Sequence, residues 1–146
     1  MKPSTQEWHR GEYTVSTDPR KLDLDFIHGF LSQNSYWAKN RSRSLVERSL
    51  EHSLNFGIYR ADQQIGFARV VTDYATFAWL ADVFIIEEYR GQALGKWLIE
   101  TVFSFEPLQG LRRWILATRD AHELYRKFGF TLLDQTDQWM EKREPS

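Results

Sequence analysis

At 146 residues the chain can bury one hydrophobic core and offers too little for a second, so one domain over residues 1–146 is expected, with residues 1–10 as a flexible N-terminal segment. Its 19 Lys and Arg against 20 Asp and Glu exclude a general attraction for nucleic acid or anionic membrane, and the lack of Cys excludes disulfides, thiolate metal sites and cysteine nucleophiles. Residues 1–10 are polar, without the apolar core of a signal peptide, and no apolar run approaches the roughly 18–20 residues of a membrane span, so a soluble cytoplasmic protein is expected.

Residues 12–17 read as a short first strand, stopped by Asp18-Pro19. Leu22, Phe26, Ile27, Phe30 and Leu31 follow at helical spacing, and residues 32–43 are polar apart from Tyr36 and Trp37, as in a loop. Ser42 or Ser44 can cap a second helix that runs to about Leu54. The period then changes to that of strands at 56–60, 65–72 and 76–86, with connections short enough for an antiparallel meander. Leu94, Leu98, Ile99, Val102 and Phe103 mark a helix over 94–105, closed by Pro107 and Gly110. Residues 114–118 read as a buried strand, 122–128 as a helix ended by Gly129, and 131–133 and about 138–141 as two last strands. The order is strand, two helices, three strands, helix, strand, helix, two strands: an α/β fold with a mixed sheet flanked by helices.

Between the strand ending at Ile86 and the helix starting at Leu94 lies Arg90-Gly91-Gln92-Ala93-Leu94-Gly95-Lys96. Small residues at 91, 93 and 95 let backbone N–H groups approach a ligand, and the helix N-terminus adds unpaired N–H groups and partial positive charge. Together these make a phosphate site, to which Arg90 and Lys96 can add charge. The spacing is wrong for a Walker loop, with three residues rather than four before the Gly-Lys pair and Trp97 after it. Gly91, Ala93 and Gly95 do not form the dinucleotide fingerprint either.

The stretch resembles the pyrophosphate loop of the GNAT superfamily of acyl-CoA N-acyltransferases, whose pattern is [Q/R]-x-x-G-x-[G/A] after a strand. A second match, Ala-His-Glu-Leu-Tyr-Arg-Lys-Phe-Gly-Phe at residues 121–130, is similar to a later helix of that family, and the order of elements agrees over roughly residues 55–130. One departure is Ala93 where the family usually has Gly; its methyl is expected to be tolerable only at negative φ.

The resemblance implies a GNAT-like, mostly antiparallel mixed sheet and acetyl transfer from acetyl-CoA to a primary amine of a small molecule or peptide, by direct attack in a ternary complex. It places the pantetheine arm along Val83, Phe84 and Ile85 and the pyrophosphate on residues 91–96, with Thr118 as a polar cofactor contact or merely a strand end. Val83 supplies the oxyanion N–H, and the hydroxyl of Tyr125 protonates the departing thiolate unless that ring serves packing alone. An alkylamine is neutral in about one molecule in 2,500 at pH 7, a handicap of roughly 4.6 kcal/mol, so a base is wanted. Asp82, the lone charge in 76–86, is the candidate base or ammonium holder, with a structural aspartate as the alternative and His122 as the rival. His28, on an apolar helix face, reads as packing.

Tyr36, Trp37, Tyr74 and Trp79 are acceptor-side candidates, by cation–π contact or else as core. The four His show no paired spacing with carboxylates that suggests a metal site, and oligomeric state stays open, a homodimer included. Two other functions compete: a non-catalytic acyl-CoA sensor or scaffold, supported by Ala93, and a nucleotide-phosphate binder unrelated to CoA.

Overall fold

The structure is a computed structural model that describes residues 2–145, so the two ends of the expected span, residues 1 and 146, lie outside the described residues. By contact the chain divides into a larger unit ending at Leu116 and a smaller one beginning at Ala117.

In the larger unit β1 (Glu7–Arg10) and β2 (Tyr13–Ser16) form a hairpin, followed by α1 (Leu24–Asn34) and α2 (Arg43–Glu51). Then come β3 (Leu54–Arg60), β4 (Gln63–Thr72), β5 (Phe77–Ile85), α3 (Leu94–Ser104) and β6 (Arg113–Ile115). The six strands lie in sequence order in one sheet, antiparallel until the last pair, where β6 runs parallel to β5. This is the expected mixed, mostly antiparallel sheet.

The helices α1 and α2 start where the sequence supplies an acceptor for orphan N–H groups. The Asp23 carboxylate accepts from the Phe26 N–H and the Ser42 hydroxyl oxygen from that of Leu45. Ile27, Phe30 and Leu31 of α1 then bury against Phe67 and Phe84, with the Phe30 and Phe84 rings stacked at 3.8 Å. On the other sheet face Phe56 meets Phe105, just past α3, edge to face at 5.5 Å, and Leu98, Ile99 and Val102 of α3 are fully buried. Alternation along β3 and β4 produces this division: Gly57 and Phe67 are paired on one face, Phe56 and Ala68 on the other.

Several expectations need correction. Residues 7–10 are not a loose terminus; they pair with β2 across a turn in which Gly11 has φ 58, and Trp8 packs on Phe56 and Phe105. The strand expected at 114–118 is shorter and shifted, Arg113–Ile115.

In the smaller unit α4 is a five-residue helix, His122–Arg126, with Gly129 at φ 91 behind it. The strands expected at 131–133 and 138–141 do not form among the described residues. Leu132 and Leu133 are 69% and 44% exposed, so their run has no buried face to fix a register, and Thr136–Gln138 is a 3-10 turn. Among the described residues no helix is long and apolar enough to cross a membrane.

Candidate active site

The chain leaves β5 through one 3-10 turn, Glu87–Tyr89, and enters α3 at Ala93. The first intrahelical bond is Trp97 N–H to the Ala93 carbonyl at 3.0 Å, so the N–H groups of Leu94, Gly95 and Lys96 precede the ladder. No side chain caps them, because Ala93 has no oxygen to offer. Gly91 has φ 83, and a Cβ built there would meet nothing within 4 Å; Gly95 would bring one to 3.6 Å from Ile85. Arg90 closes the turn by donating from Nε to the Ile85 carbonyl at 2.8 Å, and Gln92 accepts from the Tyr13 hydroxyl at 3.1 Å. The result is an eleven-residue helix whose first donors are bare, beneath an exposed loop, with Lys96 exposed at its third position.

The expectation of negative φ at residue 93 is overturned: Ala93 sits at φ 62, ψ 18. Turning the chain from Gly91 into the helix requires the left-handed region there, and alanine adopts it at a cost of about 1–2 kcal/mol, part of which glycine would lose again through chain entropy. Ala93→Gly is therefore expected to raise the unfolding free energy by about 1 kcal/mol in urea denaturation without weakening acetyl-CoA binding. An unchanged or lower value would show that the loop carries no such strain.

The register of β4 against β5 skips at one point. Phe67 faces Phe84 and Arg69 faces Ala81, so Asp82 and Val83 together oppose Ala68, a bulge in which Asp82 has φ 55. On its other edge β5 pairs with β6 only from Phe77 to Trp79, so from Leu80 onward that edge has no strand partner among the described residues.

Asp82 at the bulge is 2% exposed at its side chain and is surrounded by donors. Trp37 Nε1 donates to Oδ1 at 2.8 Å, Arg69 Nε to Oδ2 at 2.8 Å, and Arg41 Nη1 reaches Oδ2 at 3.2 Å and Oδ1 at 3.4 Å. Arg69 also donates from Nη1 to the Ser53 hydroxyl at 3.1 Å. A carboxylate with both oxygens turned to cations has little lone-pair capacity left for a substrate proton.

The structure thus brings the predicted Trp37 and Asp82 together. Tyr36 stands edge-on to Trp37 at 5.1 Å, and the Arg69 guanidinium lies 5.9 Å over the exposed Trp79 ring. Tyr36, Trp37 and Trp79 are 47%, 39% and 41% exposed, so these three rings are surface rather than core. Tyr74 sits in a separate turn at φ 60, its N–H donating to the Thr72 hydroxyl oxygen. Beside it the Thr76 hydroxyl and the N–H groups of Thr76, Ala75 and Phe77 hold the Asp73 carboxyl well below the usual carboxylate range.

In the smaller unit Tyr125 is buried on α4, ring to ring with Phe130 at 5.9 Å, and its carbonyl accepts from the Phe128 and Phe130 N–H groups. Thr118 lies outside the strand; its hydroxyl oxygen accepts from the Ala121 N–H at 3.1 Å and turns the chain toward α4. His122 is exposed at the helix start. His28 is half-buried and bonds through Nε2 to the Arg41 carbonyl at 3.0 Å, holding the connection between α1 and α2.

Arg41 and Arg69 were not among the expected site residues. Arg69 had a signal, being the lone charge in the apolar run 65–72, as Asp82 is in its own; Arg41 had none, since it lies in a polar segment beside Lys39 and Arg43.

Comparison with known proteins agrees with this geometry. The acetyltransferase (GNAT) domain family matches residues 51–132. A Gibberella zeae protein that bears an acetyltransferase name is 35% identical over 144 residues, an alignment taking in 84% of this chain and 80% of that protein. A solved structure from Xanthomonas campestris pv. campestris, described as belonging to the GNAT family, superposes with a TM-score of 0.87 at 45% identity and covers 98% of this chain and 95% of its own. A Clostridium acetobutylicum chain described with acetyl-CoA shares the fold at a TM-score of 0.63 and 12% identity, covering 90% and 94%. The family match and these identities together show that the chain belongs to the GNAT family of acetyltransferases, which take their acetyl group from acetyl-CoA.

Proposed function

We propose that this protein moves the acetyl group of acetyl-CoA to a primary amine of a small molecule or peptide by direct attack within a ternary complex. The observation that carries the reading is the start of α3: three uncapped N–H groups at Leu94, Gly95 and Lys96 beside Gly91 at φ 83. That is the donor set a pyrophosphate needs. Arg90 Nε is committed to the Ile85 carbonyl, which leaves its terminal nitrogens to face a phosphate.

Val83, Phe84 and Ile85 lie on the part of β5 whose outer edge has no strand partner among the described residues, so a pantetheine amide chain can bond there as an added strand. Acetyl-CoA, when bound, supplies an activated thioester carbonyl for the amine nitrogen and a sulfur that leaves as thiolate. The Val83 N–H, displaced from regular pairing by the bulge, is assigned to the developing oxyanion. Tyr125 donates its hydroxyl proton to the leaving sulfur. Asp82 is assigned as a positioning residue that fixes the bulge, not as the base, because its oxygens are already held by Trp37, Arg41 and Arg69; the attacking nitrogen releases its proton to water. Thr118 supports the turn before α4 and can still donate its own hydroxyl hydrogen.

Ala93 adopts the left-handed region that glycine favours, which counts against reading it as the mark of a non-catalytic sensor. The test is a calorimetric titration with acetyl-CoA, ATP and NAD, followed by an amine panel scored by CoA release. Binding of acetyl-CoA alone among the three, with acetylation of at least one amine, is expected. Binding without turnover would return the sensor reading, and a preference for ATP or NAD would sink both.

A further inference from the structure

The same cluster that immobilises Asp82 carries information about the acceptor. Two guanidinium groups, Arg41 and Arg69, share one carboxylate, so the cluster keeps a net positive charge. Arg69 is 10% exposed at its side chain and is used on Asp82 and Ser53. Arg41 is 26% exposed and commits only Nη1 to Asp82; its Nε and Nη2 donate to no protein acceptor among the described residues. Around these two lie exposed aromatic faces: Tyr36 against Trp37, Trp37 bonded to the same Asp82, and Trp79 beneath Arg69. The whole group adjoins the bulge at Asp82 and Val83, where β5 would meet the acetyl group.

A bare ammonium laid on these rings would sit beside two guanidinium groups, and the one carboxylate among them is already shared by both. The geometry points to an acceptor amine that also carries a carboxylate, an amino-acid-like compound with a flat apolar portion, its carboxylate taken by the free edge of Arg41 and its apolar portion laid on Tyr36, Trp37 or Trp79. Arginine suits this role because its planar fork matches a carboxylate with two parallel hydrogen bonds. Polycationic amines are disfavoured by the same positive charge that binds the carboxylate. In the reaction a C–N bond forms as the thioester C–S bond breaks, and the carboxylate is unchanged. This assignment of acceptor class rests on the acetyl-transfer reading of the site.

The experiment uses matched pairs differing by one carboxylate, L-phenylalanine against phenethylamine and L-tryptophan against tryptamine, with spermidine as the polycation. CoA release gives kcat/KM, and calorimetry measures acetyl-CoA binding separately. The carboxylate-bearing member of a pair is expected to exceed its partner by at least tenfold. In Arg41→Gln that ratio should collapse to within about threefold, through KM of the carboxylate member. Arg41→Lys, with a point charge but no fork, should retain part of it, which separates recognition from a folding defect. The assignment is overturned if phenethylamine, tryptamine or spermidine is the equal or better substrate, if the ratio survives Arg41→Gln, or if protein that binds acetyl-CoA acetylates neither amino acid. Should acetyl-CoA itself fail to bind, the acetyl-transfer reading falls and this assignment with it.

Discussion

Asp82→Ala is expected to lower the unfolding free energy by about 3–5 kcal/mol, the range for breaking a buried ion pair by removing one partner. The carboxylate is 2% exposed and the Arg69 side chain 10%, so removal leaves a guanidinium in the interior with the Ser53 hydroxyl and the Trp79 ring but no counter-charge from Asp82. Arg41, at 26% exposed, can turn toward water and contributes less. The Trp37 indole N–H also loses its acceptor. A backbone contribution adds to these, because Asp82 sits at φ 55, a conformation that a short polar side chain tolerates better than alanine. Asp82→Asn separates the parts: it keeps the left-handed preference and an acceptor for Trp37 but not the charge, so its loss should be smaller than that of alanine and still above about 1 kcal/mol. Against a total stability of roughly 5–15 kcal/mol, either change is large enough to read in urea denaturation. A general base held in place at a cost to the fold would behave differently, since removing it leaves stability unchanged or improved while turnover is lost. That outcome would reinstate Asp82 as the base.

The pair behind this prediction was half legible. Asp82 and Arg69 are each the lone charge in an apolar run, and two such charges in neighbouring strands of a meander are natural partners for burial. What sequence spacing could not show is the bulge, which depends on how Ala68 is opposed across the sheet and not on any local pattern. The loop at 90–96 was readable because small residues and a helix start are local features; the backbone angle of Ala93 was not, since alanine by composition argues against the conformation that the turn imposes. In β1 the sequence Glu-Trp-His-Arg has a single apolar side chain, and it is held as a strand by pairing with β2 and by Trp8 packing on Phe56 and Phe105. At the other end Leu132 and Leu133 looked apolar enough for a strand, but neither is buried, and short apolar pairs without a partner face do not hold a register.

Tyr125→Phe is expected to lower kcat by tenfold or more, with KM for acetyl-CoA changed by less than about threefold and the protein still cooperatively folded. A loss of tenfold corresponds to about 1.4 kcal/mol of transition-state stabilisation and is a floor, since a positioned general acid typically contributes about 10²–10⁴-fold. The ring is buried against Phe130, and phenylalanine preserves that contact, so the substitution removes the hydroxyl alone. Because a proton to the leaving thiolate is needed only as the C–S bond breaks, the effect belongs in kcat and not in cofactor affinity. Tyr125→Leu supplies the contrast: it removes hydroxyl and ring together and should add a loss of stability to the same loss of turnover. If phenylalanine keeps full turnover and leucine does not, the residue serves packing on α4, and the proton for the thiolate comes from water or from another group.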